Sequence, residues 1–380
     1  MTDLLQSAIH SGYFTLLPRA RYLDPQVFED EYRKVFSRQW LFAGHISQLA
    51  KPGFYFVEEI LGESVILTKT QEGEVRAFLN VCRHRGHRVC EGTSGQTQRF
   101  VCGYHRWSYA LSGKLLGAPA MPDGDGGVDY RDLSLFDVHV TVYHGLIFVC
   151  LGAERPAELA SQLADKTRGI ERFRLEHTKE AFRETYHVKA NWKVLLENYL
   201  ECHHCAGSHR ELCKAMDLGA MFEETRGWVG EYFGGSTPLK ETALTASLDG
   251  HLLSTPLGDA DPANPADVEG TGLGIVPTLT RVIVHIDHVL VHALRPLSPE
   301  EVSWQTRWFV KADAVEGADY HPDRLTEVWR ATNGQDVALC QAAYKGVRSR
   351  RFVSGPLHAT REAAIRSALA TYTDMMSAAG

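Results

Sequence analysis

The sequence predicts an α+β protein in two parts, a small all-β domain followed by a larger domain of mixed helix and strand. Between Phe42 and Leu151, short β-type runs alternate with turn residues. After Gly152 the apolar spacing becomes that of helices, interrupted by two strand-like stretches. The length of 380 residues corresponds to about 2.5 domains of roughly 150 residues each. Hydrophobic residues make up 44% and charged residues 23%, and 40 basic against 47 acidic residues give a net charge of −7. That balance excludes a disordered chain. It also argues against a nucleic-acid binder, which wants a basic surface.

Met1 to Arg19 has no basic run followed by an apolar core, so no secretory signal is expected. Val65–Leu67, Ala77–Val81 and Leu146–Val149 read as strands bounded by Gly or charged residues. Gly117 to Asp129, rich in Gly, Pro and Asp, reads as a loop. The most apolar stretch, Val138 to Leu151, is broken by His139 and His144 and is too short for a bilayer. No membrane span and a cytoplasmic location are expected.

Pro156 to Arg172 reads as a helix that starts at the Pro, where the missing N–H costs nothing. Asn191 to Cys205 reads as another, with Trp192, Leu195, Leu196 and Tyr199 at helical spacing. Ser254 to Gly274 holds seven Pro or Gly in 21 residues and reads as a disordered excursion or a mobile lid. Arg281–Pro296 and Val302–Lys311 read as two strands joined through Pro296–Pro299. Pro322 to Met376 is helical, with a break near Ser354–Pro356. No internal repeat is evident, and eight cysteines are too few for a disulfide scaffold.

The chemistry concentrates in two clusters. Cys82-x-His84 is followed, after 17 intervening residues, by Cys102-x-x-His105. Each loop offers one thiolate and one imidazole. A structural zinc site can be built from such a set, but zinc fingers usually pair the cysteines together and the histidines together. One Cys and one His per loop suits a [2Fe–2S] cluster in which two Cys hold one iron and two His the other. His87 and Cys90 lie outside this spacing and read as packing residues. Arg83, Arg85, Arg88 and Arg106 read as a solvated basic face or a docking patch for an acidic electron donor.

With Cys82-Arg83-His84-Arg85-Gly86 and Cys102-Gly103-Tyr104-His105-Arg106-Trp107, the sequence resembles the Rieske non-haem iron oxygenases. The resemblance implies a helical segment at residues 1–38 that packs on the catalytic domain, then a Rieske domain at 39–153. A catalytic domain at 154–380 would follow, with an antiparallel sheet flanked by helices.

In the second cluster, Glu201-x-x-His204-x₄-His209 ends a predicted helix, and Gly207 lets the chain turn back on itself. Two His and one carboxylate make the facial triad of mononuclear non-haem Fe(II), which leaves positions open for O₂. The resemblance supplies the carboxylate as Asp336, in Gly334-Gln335-Asp336, which the family places at the head of a helix. It also selects His204 over the adjacent His203. Glu201 would be no ligand. In most of the family an Asp there hydrogen-bonds a Rieske His of one subunit and an iron-ligating His of its neighbour, so Glu201 would be the inter-subunit electron relay.

Glu at that position, with Glu197-Asn198-Tyr199, Asp287-His288 and His292, resembles the branch acting on quaternary ammonium compounds, such as carnitine and glycine betaine monooxygenases, stachydrine demethylase and choline monooxygenase. This implies hydroxylation of a C–H beside a quaternary nitrogen, with N-demethylation or C–N cleavage. Electrons would come from NAD(P)H through a separate flavin/ferredoxin-type reductase, since no G-x-G-x-x-G follows a strand. The family assembly would be a homotrimer. An aromatic-ring hydroxylating oxygenase is the alternative, and an Fe–S electron carrier without oxygenase activity a distant one.

Quaternary ammonium groups are read by aromatic faces. Tyr186, Tyr199, Trp228, Tyr232, Phe233, Trp304 and Trp308 are candidates. Arg281, His288 and His292 are candidates for a substrate carboxylate. The sequence does not choose among them. Cys150, Cys202, Cys205, Cys213 and Cys340 read as small buried hydrophobes.

Overall fold

The computed structural model describes residues 9–10, 13–121, 130–163, 167, 169–218, 220, 228–229, 232–275 and 279–378. The chain divides into two compact units, residues 39–156 and residues 1–38 with 157–380.

The first unit is built on a seven-stranded antiparallel sheet. Its order is Leu41–His45, Leu146–Cys150, Asp137–Tyr143, Val75–Leu79, Glu63–Lys69, Phe54–Ile60 and Ser94–Gln96. Its inner strands are β-branched and aromatic because both faces are covered: Val65, Ile66, Leu67, Ile147, Phe148 and Val149 are all 0% exposed. A smaller antiparallel sheet orders Leu115–Gly117, Ser108–Ala110 and Arg99–Val101. Of the expected loop after Gly117, residues 122–129 lie outside the described residues.

The second unit holds another seven-stranded antiparallel sheet. Its order is Thr178–Val188, Glu301–Lys311, Val289–Ser298, Thr280–Val284, Gly270–Ile275, Tyr232–Thr237 and Trp228–Val229. Ile283, Leu290, Trp308 and Val310 pack from this sheet against Val328 and Trp329 of a long helix, Pro322–Val347. A second helix, Ala363–Ser377, follows the expected break.

The expected single strand Arg281–Pro296 is a hairpin, because the chain reverses at His285–His288. The Asp287 carboxylate holds the neighbouring segment there, accepting from Leu253 N (2.6 Å), Ser254 N (3.3 Å) and Thr245 Oγ1 (2.8 Å). The reversal sets Arg281 directly opposite His292. Ser254–Gly274 is neither disordered nor a free lid. Leu257 N donates to Ile286 O at 2.7 Å, Asp267 pairs with Arg172 at 2.8 Å, and Gly270–Ile275 is a sheet strand. At Gly258 φ is +52°, and a Cβ would stand 2.3 Å from the Arg172 carbonyl oxygen, so glycine is required.

Three helices differ from expectation. Asn191 caps its helix by accepting from Lys193 N at 3.0 Å, but the helix ends at Tyr199 instead of Cys205. There the Glu201 side chain takes the His203 N–H, a local bond that competes with helix continuation. In Pro156–Arg172 only Leu159–Leu163 is α-helical, with a 3₁₀ turn at Ile170–Phe173; residues 164–166 and 168 lie outside the described residues. Pro322–Val347 runs for 26 residues straight through Gly334, which puts Asp336 mid-helix and not at its head. Glycine costs a helix about 1 kcal/mol, which the buried flanks Trp329, Thr332 and Asn333 offset.

The helix Pro25–Lys34 inserts Glu31 beside Lys193, each side chain 1% exposed, with Nζ and Oε1 2.5 Å apart. Tyr372 Oη and Trp192 Nε1 donate to the same carboxylate at 2.6 and 2.8 Å. Charges this deep persist only when paired and hydrogen-bonded.

Candidate metal centres

The two Cys/His loops share one plan. Cys82 N donates to His87 O at 2.8 Å, and Cys82 O accepts from Gly86 N at 2.9 Å. Cys102 repeats both bonds with Trp107 (2.9 Å) and Arg106 (3.2 Å). Four residues after each Cys the backbone is left-handed, with φ +74° at Gly86 and +61° at Arg106. Glycine adopts that freely, whereas Arg106 does so against about 1–2 kcal/mol. Each loop thereby folds back and brings its His beside its Cys.

The His84 and His105 rings stand 4.5 Å apart, and Cys82 and Cys102 are buried free thiols close enough to interact. His84 stacks on Trp107, and its buried Nδ1 has no hydrogen-bond partner. A buried unpaired nitrogen is costly unless something binds it. Two thiols, two imidazoles and one orphaned nitrogen fit a Rieske cluster. Tyr109 Oη accepts from Arg83 N at 3.1 Å, which leaves its hydrogen for Cys82 Sγ at 3.3 Å. Of the neighbours, His87 Nδ1 engages Arg88 O at 2.7 Å. Cys90 packs in the core, where burial pushes its thiol up to about 12.

In the other unit, the turn that ends the helix Trp192–Tyr199 presents His204 and His209, and the long helix supplies Asp336. His204 Nε2 lies 3.1 Å from His209 Nε2 and 3.3 Å from Asp336 Oδ1; His209 Nε2 lies 3.1 Å from the same oxygen. Three donors at about 2.1 Å from one ion and at right angles stand about 3.0 Å apart. The observed triangle has the dimensions a facial triad requires.

Burial works against a charged His204, but hydrogen bonds and charge from Asp336 and Glu201 lift its pKa to about 9. His209 is raised against burial by Asp336. Asp336 is held below the usual carboxylate range because the two imidazoles outweigh its burial. The pocket is built to hold positive charge.

Each imidazole is steadied from behind. Glu201 Oε1 lies 2.6 Å from His204 Nδ1, and Gln335 Oε1 lies 2.8 Å from His209 Nδ1. Such contacts fix the tautomer that leaves Nε2 free to ligate. Gln335 in turn donates to Glu211 at 2.9 Å. His203 faces outward, toward Arg361 at 3.2 Å. Cys205 Sγ, a ring nitrogen of His204 and a ring nitrogen of His209 lie within 4.8 Å of one another. It is not available as a ligand, because Cys202 and Cys205 are disulfide-bonded rather than the free packing residues expected; the turn brings their Cα atoms to 5.0 Å.

A cavity opens on the three side chains of the triangle, and Tyr199, Arg281, His292, Trp304 and Trp329 share its wall. A recess lined by Leu195, Leu196, Leu279 and Leu294 shares four of those five residues. Among the aromatic candidates, Tyr199 and Trp304 reach the cavity, Tyr186 bonds Glu184, and Trp308 is core. The side chains of Trp228, Tyr232 and Phe233 lie outside the described residues. His288 pairs with Asp287 in the interior, away from the cavity. Trp329 carries no signal in sequence, since only the fold brings it to the site; Asn198 and Gln335 stand in the motifs that carry the resemblance, but only the fold gives them partners there.

Residues 39–144 match the Rieske [2Fe–2S] domain family, and residues 175–378 match the catalytic domain of the ring hydroxylating alpha subunit. The glycine betaine monooxygenase oxygenase subunit of Pseudomonas aeruginosa strain UCBPP-PA14 is 33% identical over 98% of this chain and 91% of its own length. The carnitine monooxygenase oxygenase subunit of Escherichia coli K12 is 31% identical over 57% of this chain and 58% of its own. The crystal structure of the quaternary ammonium Rieske monooxygenase CntA with L-carnitine superposes with a TM-score of 0.75, at 21% identity over 96% of both chains. Naphthalene 1,2-dioxygenase from Rhodococcus sp. with indole gives 0.72, at 20% identity over 95% of this chain and 94% of that one.

Proposed function

The chain belongs to the Rieske-type ring-hydroxylating oxygenase alpha subunits, and from that premise we propose that it hydroxylates a C–H beside a quaternary nitrogen of a betaine- or carnitine-type substrate. The observation that carries this reading is the cavity, where Tyr199, Trp304 and Trp329 line the wall beside the triad. A trimethylammonium group has no N–H to donate and is held by aromatic faces.

The protein carries a Rieske cluster and mononuclear iron. We assign the cluster to Cys82, His84, Cys102 and His105, and the iron to His204, His209 and Asp336. Iron held there supplies the oxidising chemistry, using O₂ and electrons delivered one at a time. The chain's own residues do the rest. Glu201 and Gln335 orient the imidazoles, and four leucines give the recess beside the site an apolar wall. Hydroxylation of an N-methyl consumes O₂, two electrons and two protons, and yields the N-hydroxymethyl compound and water. That product then releases formaldehyde and a proton, leaving the tertiary amine.

An oxygenase subunit requires a separate reductase, and we infer one of the flavin/ferredoxin type that oxidises NAD(P)H. A bare electron carrier would have no use for the catalytic domain. A cytoplasmic location suits the six cysteines outside the Cys202–Cys205 disulfide, all of which are free thiols. No helix among the described residues is long and apolar enough to cross a membrane. We further infer a head-to-tail homotrimer in which Glu201 relays electrons across a subunit boundary, an arrangement that a heterologous ring contact permits. A native mass equal to the single chain's 42.4 kDa would remove that assembly.

Single turnover tests the reaction. The chemically reduced holoenzyme is mixed with O₂ and each of glycine betaine, carnitine, choline and simple aromatics, and products are read by mass spectrometry. Stoichiometric formaldehyde from a betaine is expected. A ring-oxygenated product would install the aromatic alternative, and no product with both metals present would remove the substrate class.

A further inference from the structure

We propose that Arg281 and His292 form a carboxylate clip in the cavity wall, so that the substrate is a zwitterion carrying both a quaternary nitrogen and a carboxylate. The proposal rests on the quaternary-ammonium reading and deepens it, by naming the residues that tell a betaine from a simple cation such as choline.

The clip is a product of the hairpin at His285–His288. Arg281 and His292 are register partners on neighbouring antiparallel strands. Directly opposed residues share one face of the sheet with Cβ atoms about 4.5–5.5 Å apart. Both line the cavity at the triad and the recess beside it.

Each brings an unspent donor. The Arg281 guanidinium lies 4.0 Å from the Tyr199 ring centroid. Among the described residues it has no carboxylate or carbonyl as a hydrogen-bond partner. Stacking on a ring uses the guanidinium's face and leaves its in-plane N–H groups for a carboxylate. Burial lowers its pKa to about 10, so it stays cationic at neutral pH. Asp336, whose charge acts on Arg281, is committed to His204 and His209.

His292 is 3% exposed, and its Nδ1 accepts from Trp304 Nε1 at 3.1 Å. An indole nitrogen only donates, so Nδ1 carries no hydrogen and the hydrogen is on Nε2. Burial and the Arg281 charge keep the ring neutral, with its pKa pushed down to about 3. That buried Nε2–H has no partner, and neither does the hydroxyl of Tyr199. A charged donor and a neutral one thus stand side by side with nothing to bind, where a carboxylate offers two acceptor oxygens.

Charge then sets the substrate's direction. A guanidinium repels a bare ammonium cation, whereas a zwitterion can place its carboxylate on the clip. Its ammonium end is then turned away from Arg281, toward the aromatic faces and the carboxylate of the triad.

Glycine betaine and choline differ only in carboxylate against hydroxymethyl, so the pair isolates the clip. Equilibrium dialysis of each radiolabelled compound against the metal-loaded enzyme reads binding without turnover. Wild type is expected to hold glycine betaine at least about 100-fold more tightly than choline. Arg281→Gln is expected to lose about 100-fold for glycine betaine while choline affinity holds or rises, and Arg281→Lys to recover part of the loss. His292→Phe, which keeps a ring but removes the donor, should lose about tenfold for glycine betaine alone. Unchanged iron content and retained choline binding report an intact fold around the substituted residue.

The clip is overturned if Arg281→Gln weakens both compounds alike, or if wild type binds choline as tightly as glycine betaine. The formaldehyde assay fails independently. Tight, Arg281-dependent binding without formaldehyde removes the demethylation reading and leaves the clip standing. Formaldehyde from an Arg281→Gln enzyme of undiminished affinity removes the clip and leaves the reaction.

Discussion

Replacing His204 by alanine is expected to leave the cluster's visible absorption intact, strip the protein of almost all its iron and lower product formation by at least about a thousandfold. The reason is the triangle of donors, in which His204 Nε2, His209 Nε2 and Asp336 Oδ1 stand 3.1–3.3 Å apart around one point. With one corner gone, two donors remain for an ion that needs three protein ligands to leave the other positions open. Asp336→Asn should behave similarly while preserving shape, because the carboxylate that offsets the ion's charge is lost. His203→Ala is the internal control, since that imidazole faces Arg361 on the outside. Iron and acid-labile sulfide are counted after dialysis against a chelator, and product in single turnover. Iron at the wild-type level in His204→Ala, or loss of the cluster along with it, would move the iron site elsewhere.

The parts of this protein that were legible in sequence are those whose geometry is local. Cys82-x-His84 and Cys102-x-x-His105 announce themselves because each loop's Cys and His are close along the chain, and one turn brings them together. Glu201, His204 and His209 are legible for the same reason. Asp336 is different, because nothing in Gly334-Gln335-Asp336 says that a helix runs through its glycine; only the family resemblance pointed to it, and it misplaced it at a helix head. The hairpin at His285–His288 was illegible because the apolar run continues through it, and what reverses the chain is Asp287 binding a segment more than 30 residues away in sequence. With the hairpin hidden, the opposition of Arg281 and His292 was hidden too. Ser254–Gly274 misled in the other direction: Gly258 serves close packing against Arg172, Asp267 pairs with the same arginine, and Gly270–Ile275 is a sheet strand.

Glu201→Gln should keep both metals and lose about 10–100-fold in turnover, the range expected when a group that orients a ligand is altered. The carboxylate does two things at once: Oε1 meets His204 Nδ1 at 2.6 Å, and Oε2 takes the His203 N–H that ends the helix. Glutamine retains one accepting oxygen but turns an NH₂ toward the other donor and removes the negative charge. A role confined to shaping the turn predicts that iron content and turnover fall together, because His204 would no longer be aimed at its corner of the triangle. A relay role predicts that iron stays and substrate binds as before, while reoxidation of the cluster on rapid mixing with O₂ and substrate slows in step with product. Glu201→Asp separates charge from reach, because it restores the carboxylate on a shorter arm and should recover part of the rate only if charge is what matters. Undiminished product formation in Glu201→Gln, with both metals counted and present, would take Glu201 out of the electron path and leave it as the residue that ends a helix.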